Sequence, residues 1–90
     1  MENAELNKIG KRIENLQCGD TNAVGNLITL IDKIYIILDE LNHINLFNER
    51  LSAIKSNLAS VDCHKSEERE RFNAGKKELI ELIEETHSLI

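Results

Sequence analysis

The stretch of sequence that decides the fold is residues 21–41, TNAVGNLITLIDKIYIILDEL. Drawn on a helical wheel, its apolar side chains fill an arc of about 180°. These side chains are Val24, Leu27, Ile28, Leu30, Ile31, Ile34, Tyr35, Ile37, Leu38 and Leu41. A single neighbouring helix cannot cover so wide an arc. The segment is therefore predicted to be a central helix that packs against at least two others.

A narrower apolar stripe precedes this segment and predicts a helix over residues 2–17. It consists of Leu6, Ile9, Ile13 and Leu16, which repeat at helical spacing. The following Cys18-Gly19-Asp20 is expected to end the helix, with Gly19 in the left-handed position. Asp20 or Thr21 is then expected to cap the central helix.

A third apolar stripe, after residue 41, predicts a break in the chain. Its members are Ile44, Phe47, Leu51, Ile54, Leu58 and Val61. On a common wheel they lie roughly opposite the apolar arc of residues 21–41, so one straight helix would face its core in two directions. We therefore expect a break near Asn42–Asn45, with Asn45 as the cap of a helix over 45–60. The alternative is one long or bent helix.

The end of the chain and the composition complete an all-α prediction. Ser66 is expected to cap a helix over residues 66–88, with Glu67 and Glu68 in its first turn, and Glu67 can pair with Arg71. Ile and Leu supply 24 of the 90 residues, and there is no proline to interrupt a helix. The prediction is a single domain, 1–90, folded as an antiparallel bundle of three or four helices.

Charge and hydropathy argue against two classes of partner. The chain carries 16 acidic and 11 basic residues, and neither half is basic. Nucleic-acid binders show a basic stripe, so no nucleic acid is expected as a partner. The most apolar run, Leu27–Leu38, is too short to cross a bilayer and contains Asp32 and Lys33. A cytoplasmic protein with two free thiols is expected, since the first 15 residues lack the apolar core of a signal peptide.

Cys18, Cys63 and His64 are the main candidates for chemistry. An up-down-up-down bundle would bring the Cys18 turn beside the Cys63 turn. Zinc binding and a disulfide are the alternatives to free thiols there, but the sequence has no CxxC or HxxxH spacing. An enzyme or metal carrier that uses this group is the third hypothesis for function. The favoured prediction assigns no catalytic, cofactor-binding or metal-binding residues.

Other polar groups are predicted to be solvated. His43 and His87 fall near helix ends, where a histidine usually acts as a cap or faces water. The acidic run around Glu78 and Glu81 lacks the Glu-x-x-His partner motif of carboxylate-bridged metal sites. No motif in the chain points to a known family.

The predicted function is that of a small non-catalytic interaction module, such as a regulator, inhibitor or immunity or antitoxin-type protein. It would dock a helical face on another protein, through Ile36, Tyr35, Ile44, Phe47 and Phe72. Ile36 falls among polar residues of the central helix, outside its apolar arc. The wide arc and Ile36 together predict a homodimer. The alternative is a self-associating structural subunit of a larger helical assembly.

Overall fold

A computed structural model describes residues 3–89 and shows four helices in this range. They are α1 (Ala4–Asn15), α2 (Ala23–Glu40), α3 (Ile44–Ala59) and α4 (Ser66–Leu89). Each helix packs against the next, and α4 returns to α1, so the four form a closed ring around one core. The predicted all-α bundle is confirmed. The expected start of the first helix at Glu2 lies outside the described residues.

The predicted break between the second and third helices is also confirmed. Asn42 adopts a left-handed conformation, with φ 62°. The His43 amide donates to the Leu38 carbonyl and the Asn42 amide to the Asp39 carbonyl, at 2.9 and 3.1 Å. These two hydrogen bonds are those of a Schellman motif, which ends a helix and reverses the chain. Asparagine tolerates the left-handed conformation better than most residues, so no glycine is required.

The predicted caps of α2 and α3 were wrong. α3 begins at Ile44, one residue after the Schellman motif, so Asn45 lies inside the helix rather than at its cap. Before α2, the left-handed residue is Asn22, with φ 53°, and Gly19 has no positive φ. Asp20 instead accepts a hydrogen bond from the Gln17 amide at 2.8 Å. It thereby closes the loop after α1 and does not cap α2.

The core is aliphatic and is supplied by the inner faces of all four helices. Its fully buried large side chains are Phe72, Leu6, Ile13, Leu27, Ile31, Ile34, Leu38, Leu51, Leu58, Leu79, Leu82 and Thr86. Thr86 is the polar member of this set, and its hydroxyl donates to the Leu82 carbonyl at 2.9 Å. The apolar arc of α2 is covered from both sides, by α1 and by α3. In the described part of the chain, no helix has both the length and the apolar character needed to cross a membrane.

Candidate functional site

The two cysteines meet and form a disulfide. Cys18 follows α1 and Cys63 lies between α3 and α4, with their Cα atoms 5.4 Å apart across 45 residues of sequence. The sequence predicted that these two turns would meet if the chain breaks near Asn42, and the structure confirms this. The prediction that both cysteines are free thiols was wrong. We call this part of the molecule the disulfide end, formed by residues 16–22 and 60–65.

The disulfide removes the thiolates that the enzyme or metal-carrier hypothesis requires. His64 beside it is exposed, and its backbone amide donates to Asp62 Oδ1 at 3.0 Å. Arg69 Nε donates to the Cys63 carbonyl at 3.1 Å, which holds the loop against the start of α4. Within residues 3–89 there is no group of three or more His, Cys, Asp or Glu side chains that could hold a metal ion.

The five residues predicted to contact a partner divide into surface and core. Ile36 is 60% exposed on the outer face of α2. Ile44 and Tyr35 are half-buried, and the Tyr35 hydroxyl lies 2.7 Å from Ser52 Oγ on α3. Phe47 and Phe72 are buried in the core. Assigning these two to a partner surface was therefore wrong, because their rings belong to the inward faces of α3 and α4.

Two exposed leucines were missed in the sequence. Leu46 is 62% and Leu89 50% exposed. Arg50 of α3 pairs with Glu85 of α4 at 2.8 Å. Leu46 is one turn before Arg50 and Leu89 one turn after Glu85, so both lie at the same end of this antiparallel seam, away from the disulfide. The sequence did contain a signal for the exposure of Leu46. Leu46 is adjacent to Phe47 and therefore lies outside the apolar stripe that contains Phe47 and Leu51.

In the described part of the chain, side-chain ion pairs or hydrogen bonds bridge the α2–α3, α3–α4 and α1–α4 seams. Across the α2–α3 seam, Lys55 pairs with Asp32 at 2.7 Å, and the hydrogen bond to this carboxylate raises the pKa of Lys55. The Arg50–Glu85 pair bridges α3 and α4. Across the α1–α4 seam, Lys76 Nζ donates to the Glu14 carbonyl at 3.3 Å. Among the described residues, no ion pair crosses from α1 to α2.

An open groove of about 500 Å³ follows the α1–α2 seam. It is lined by Arg12, Asn15, Leu16, Asp20, Asn26, Thr29, Leu30 and Lys33. Leu30 is buried and Leu16 half-buried, so the apolar part of the lining lies deep in the groove. Arg12 and Lys33 are exposed, one on each helix. Neither forms an ion pair with another described residue.

Comparison of the chain with known protein families, with curated proteins and with solved structures found no match.

Two histidines, His43 and His87, lie at the end of the bundle opposite the disulfide, and both are half-buried. His87 Nε2 is enclosed and has no hydrogen-bond partner among the described residues.

Proposed function

We propose that this protein is a non-catalytic docking module that binds another protein through the outer face of α2, centred on Ile36. The observation that carries the proposal is the exposure of Ile36, at 60%, on a helix whose inner face is already covered by α1 and α3. Burying an isoleucine side chain contributes roughly 1.5–3 kcal/mol, so one such residue contributes measurably to a complex. The loss of both thiolates to the disulfide also favours a non-catalytic role.

The test is site-specific photo-crosslinking in the native host. A photoreactive residue at position 36 is expected to capture one protein, and a photoreactive residue in place of Ala53, exposed on α3, is the matched control. With the photoreactive residue moved to Asp39, an exposed neighbour of Ile36 on α2, capture should be lost in the Ile36→Glu variant and retained in Ala53→Glu, which adds the same charge. Capture that is equal at both positions, or unchanged by Ile36→Glu, contradicts the proposal.

A self-associating structural subunit is the second candidate function. It is supported by two exposed leucines, Leu46 and Leu89, which lie at the same end of the α3–α4 seam. In the sequence, the wide apolar arc of α2 was an argument for a dimer. The structure weakens this argument, because α1 and α3 of the same chain cover the arc. Sedimentation of the purified chain at high micromolar concentration tests this candidate. If this candidate is correct, the wild-type chain forms an oligomer and the Leu46→Glu variant is a monomer. A wild-type chain that stays strictly monomeric rules the candidate out.

The disulfide bears on the compartment in which the module works. Disulfides persist in oxidising compartments and are rare in the cytosol. The cytoplasmic location expected from the sequence stays a prediction. In a reducing cytosol the four helices would have to hold together without the Cys18–Cys63 bond.

A further inference from the structure

The α1–α2 seam differs from the other three in how its polar side chains are used. At the α2–α3 and α3–α4 seams each bridging cation faces a carboxylate of the neighbouring helix, as Lys55 faces Asp32. At the α1–α2 seam a cation stands on each side, Arg12 on α1 and Lys33 on α2. Two cations cannot close a seam by pairing with each other. The groove between them is left open, with carboxylate-binding groups on both rims.

The lining of the groove combines this charge with an apolar floor. Leu16 and Leu30 supply apolar surface, and the Asn15 and Asn26 amides lie beside them. The carboxylate in the lining, Asp20, is at the disulfide end, where it accepts a hydrogen bond from the Gln17 amide. The two rim cations belong to a chain with a net charge of −5. The groove is therefore a locally basic, apolar-floored surface on an acidic protein.

On α2 the lining of the groove ends at Lys33, three residues before Ile36. Residues three apart are neighbours on a helix surface, so the groove and Ile36 adjoin. From Asn26 to Ile36 the helix advances about 15 Å, at 1.5 Å per residue. A partner helix of about three turns could cover both the groove and Ile36. Helices commonly dock in this way, by laying an apolar face into a groove.

From this geometry we infer that the α1–α2 groove binds an acidic amphipathic helix of the partner protein. The partner's apolar residues lie on Leu16 and Leu30, and its carboxylates pair with Arg12 and Lys33. The inference rests on the proposed function and adds the place and the chemistry of the contact. A second copy of this chain is a poorer occupant. A two-fold pairing of the groove with itself would bring together the rim cations of both copies, and like charges repel.

The experiment uses the full, oxidised chain and a designed peptide as the probe. The peptide is a capped 14-residue helix with leucines at positions 4, 7, 8 and 11 and glutamates on both flanks. A second peptide carries lysine in place of each glutamate. In a nuclear magnetic resonance titration, the acidic peptide should shift the amides of Asn26, Thr29 and Leu30, and the lysine peptide should not. Added salt should weaken the binding, because the rim contacts are exposed.

Charge reversal of the rim supplies the matched variants. Arg12→Glu with Lys33→Glu should raise the dissociation constant of the acidic peptide at least tenfold. Lys65→Glu with Lys77→Glu makes the same change in net charge at exposed positions outside the groove and should leave the constant within twofold. Thermal unfolding of both double variants checks that they are folded.

Several results would overturn the inference. They are the absence of amide shifts at millimolar peptide, equal binding of the lysine peptide, and shifts confined to other helices. Self-association of the wild type that the Arg12→Glu/Lys33→Glu variant abolishes would make a second copy the occupant, against the inference. If the crosslink at position 36 still captures a partner in that double variant, the groove inference falls and the proposed function stands. If no crosslink forms at position 36, the proposed function falls independently of the peptide result.

Discussion

Gly75 of α4 is buried where α4 passes close to α3. A Cβ atom built at this position would lie 2.8 Å from Leu58 Cδ2 and 3.1 Å from two other atoms of the same side chain. Leu58 is fully buried, and its side chain would have to shift to admit the added atom. Alanine is the better helix former by about 1 kcal/mol. Overpacking a core costs about 1–3 kcal/mol, so the overlap should exceed that gain.

Gly75→Ala is therefore expected to lower the free energy of unfolding by about 1 kcal/mol, as the difference of these two effects. Gly10→Ala in α1 is the control, because its Cβ would lie 3.8 Å from Ile83 Cδ1, an ordinary contact. That change should be neutral or stabilising. Urea unfolding of both variants measures the difference, and a Gly75→Ala protein as stable as the wild type would show that Leu58 has room to move.

Burial and exposure could be predicted well from the sequence at positions within a clear helical pattern. Ile36 was placed among polar residues of its helix, and it is exposed. Phe47 and Phe72 were assigned to a contact surface although Phe47 lies on a predicted core stripe. Their burial follows from that stripe and from the close approach of α3 and α4. The groove between Arg12 and Lys33 could not be predicted, because it depends on how α1 lies against α2.

Arg71 connects two elements, the first half of α4 and the C-terminal end of α3. Its Nη2 donates to the Asn57 carbonyl at 3.0 Å and to Ser60 Oγ at 3.1 Å, and its Nη1 pairs with Glu68 at 2.8 Å. The Asn57 carbonyl is one of those that the end of a helix leaves unpaired, and a cation there also complements the helix dipole. The sequence predicted a different ion pair, between Arg71 and Glu67.

Arg71→Met, which retains much of the apolar stem, is expected to destabilise the protein by about 1 kcal/mol, the usual contribution of such hydrogen bonds. The loss should be concentrated at the end of α3, so amide hydrogen exchange should accelerate at residues 58–61 more than in α2. Lys77→Met, at an exposed position on the same helix, is the control. Uniform acceleration across all four helices would contradict a local capping role for Arg71.

The existence and order of the helices could be predicted, but their caps could not. Four apolar stripes at helical spacing placed the helix ends within a few residues of those in the structure. The caps depend on single backbone conformations, and here two asparagines, Asn22 and Asn42, take the left-handed conformation. Asparagine is common at other positions in this chain, so its presence alone does not identify a left-handed residue. Gly19 was the stronger local signal and proved misleading.

The topology of the bundle could be predicted from the sequence, but the chemical state of its two cysteines could not. Opposed apolar stripes implied a break near Asn42, and the break implied that the Cys18 and Cys63 turns share one end of the bundle. Their oxidation state did not follow from any pattern in the chain. It was inferred from the expected compartment, and the structure shows that these two cysteines form a disulfide.

The disulfide joins the loop after α1 to the loop before α4, and so closes 45 residues that contain α2 and α3. In the chain-entropy account, closing a loop of this size removes freedom from the unfolded chain and stabilises the folded state by about 4 kcal/mol. The aliphatic core does not depend on the bond, since the sulfur atoms lie at the edge of the bundle. Reduction is therefore expected to lower the melting temperature by about 15–30 °C while retaining the helices at room temperature.

Far-ultraviolet circular dichroism during thermal unfolding, with and without a thiol reductant, measures this effect. The Cys18→Ser/Cys63→Ser variant is the control: it should melt near the temperature of the reduced wild type and should not respond to the reductant. A wild type whose melting temperature is the same in both conditions would contradict the disulfide. A reduced chain that unfolds at room temperature would tie the fold to an oxidising compartment, because the module could not then keep its α2 surface in a reducing cytosol.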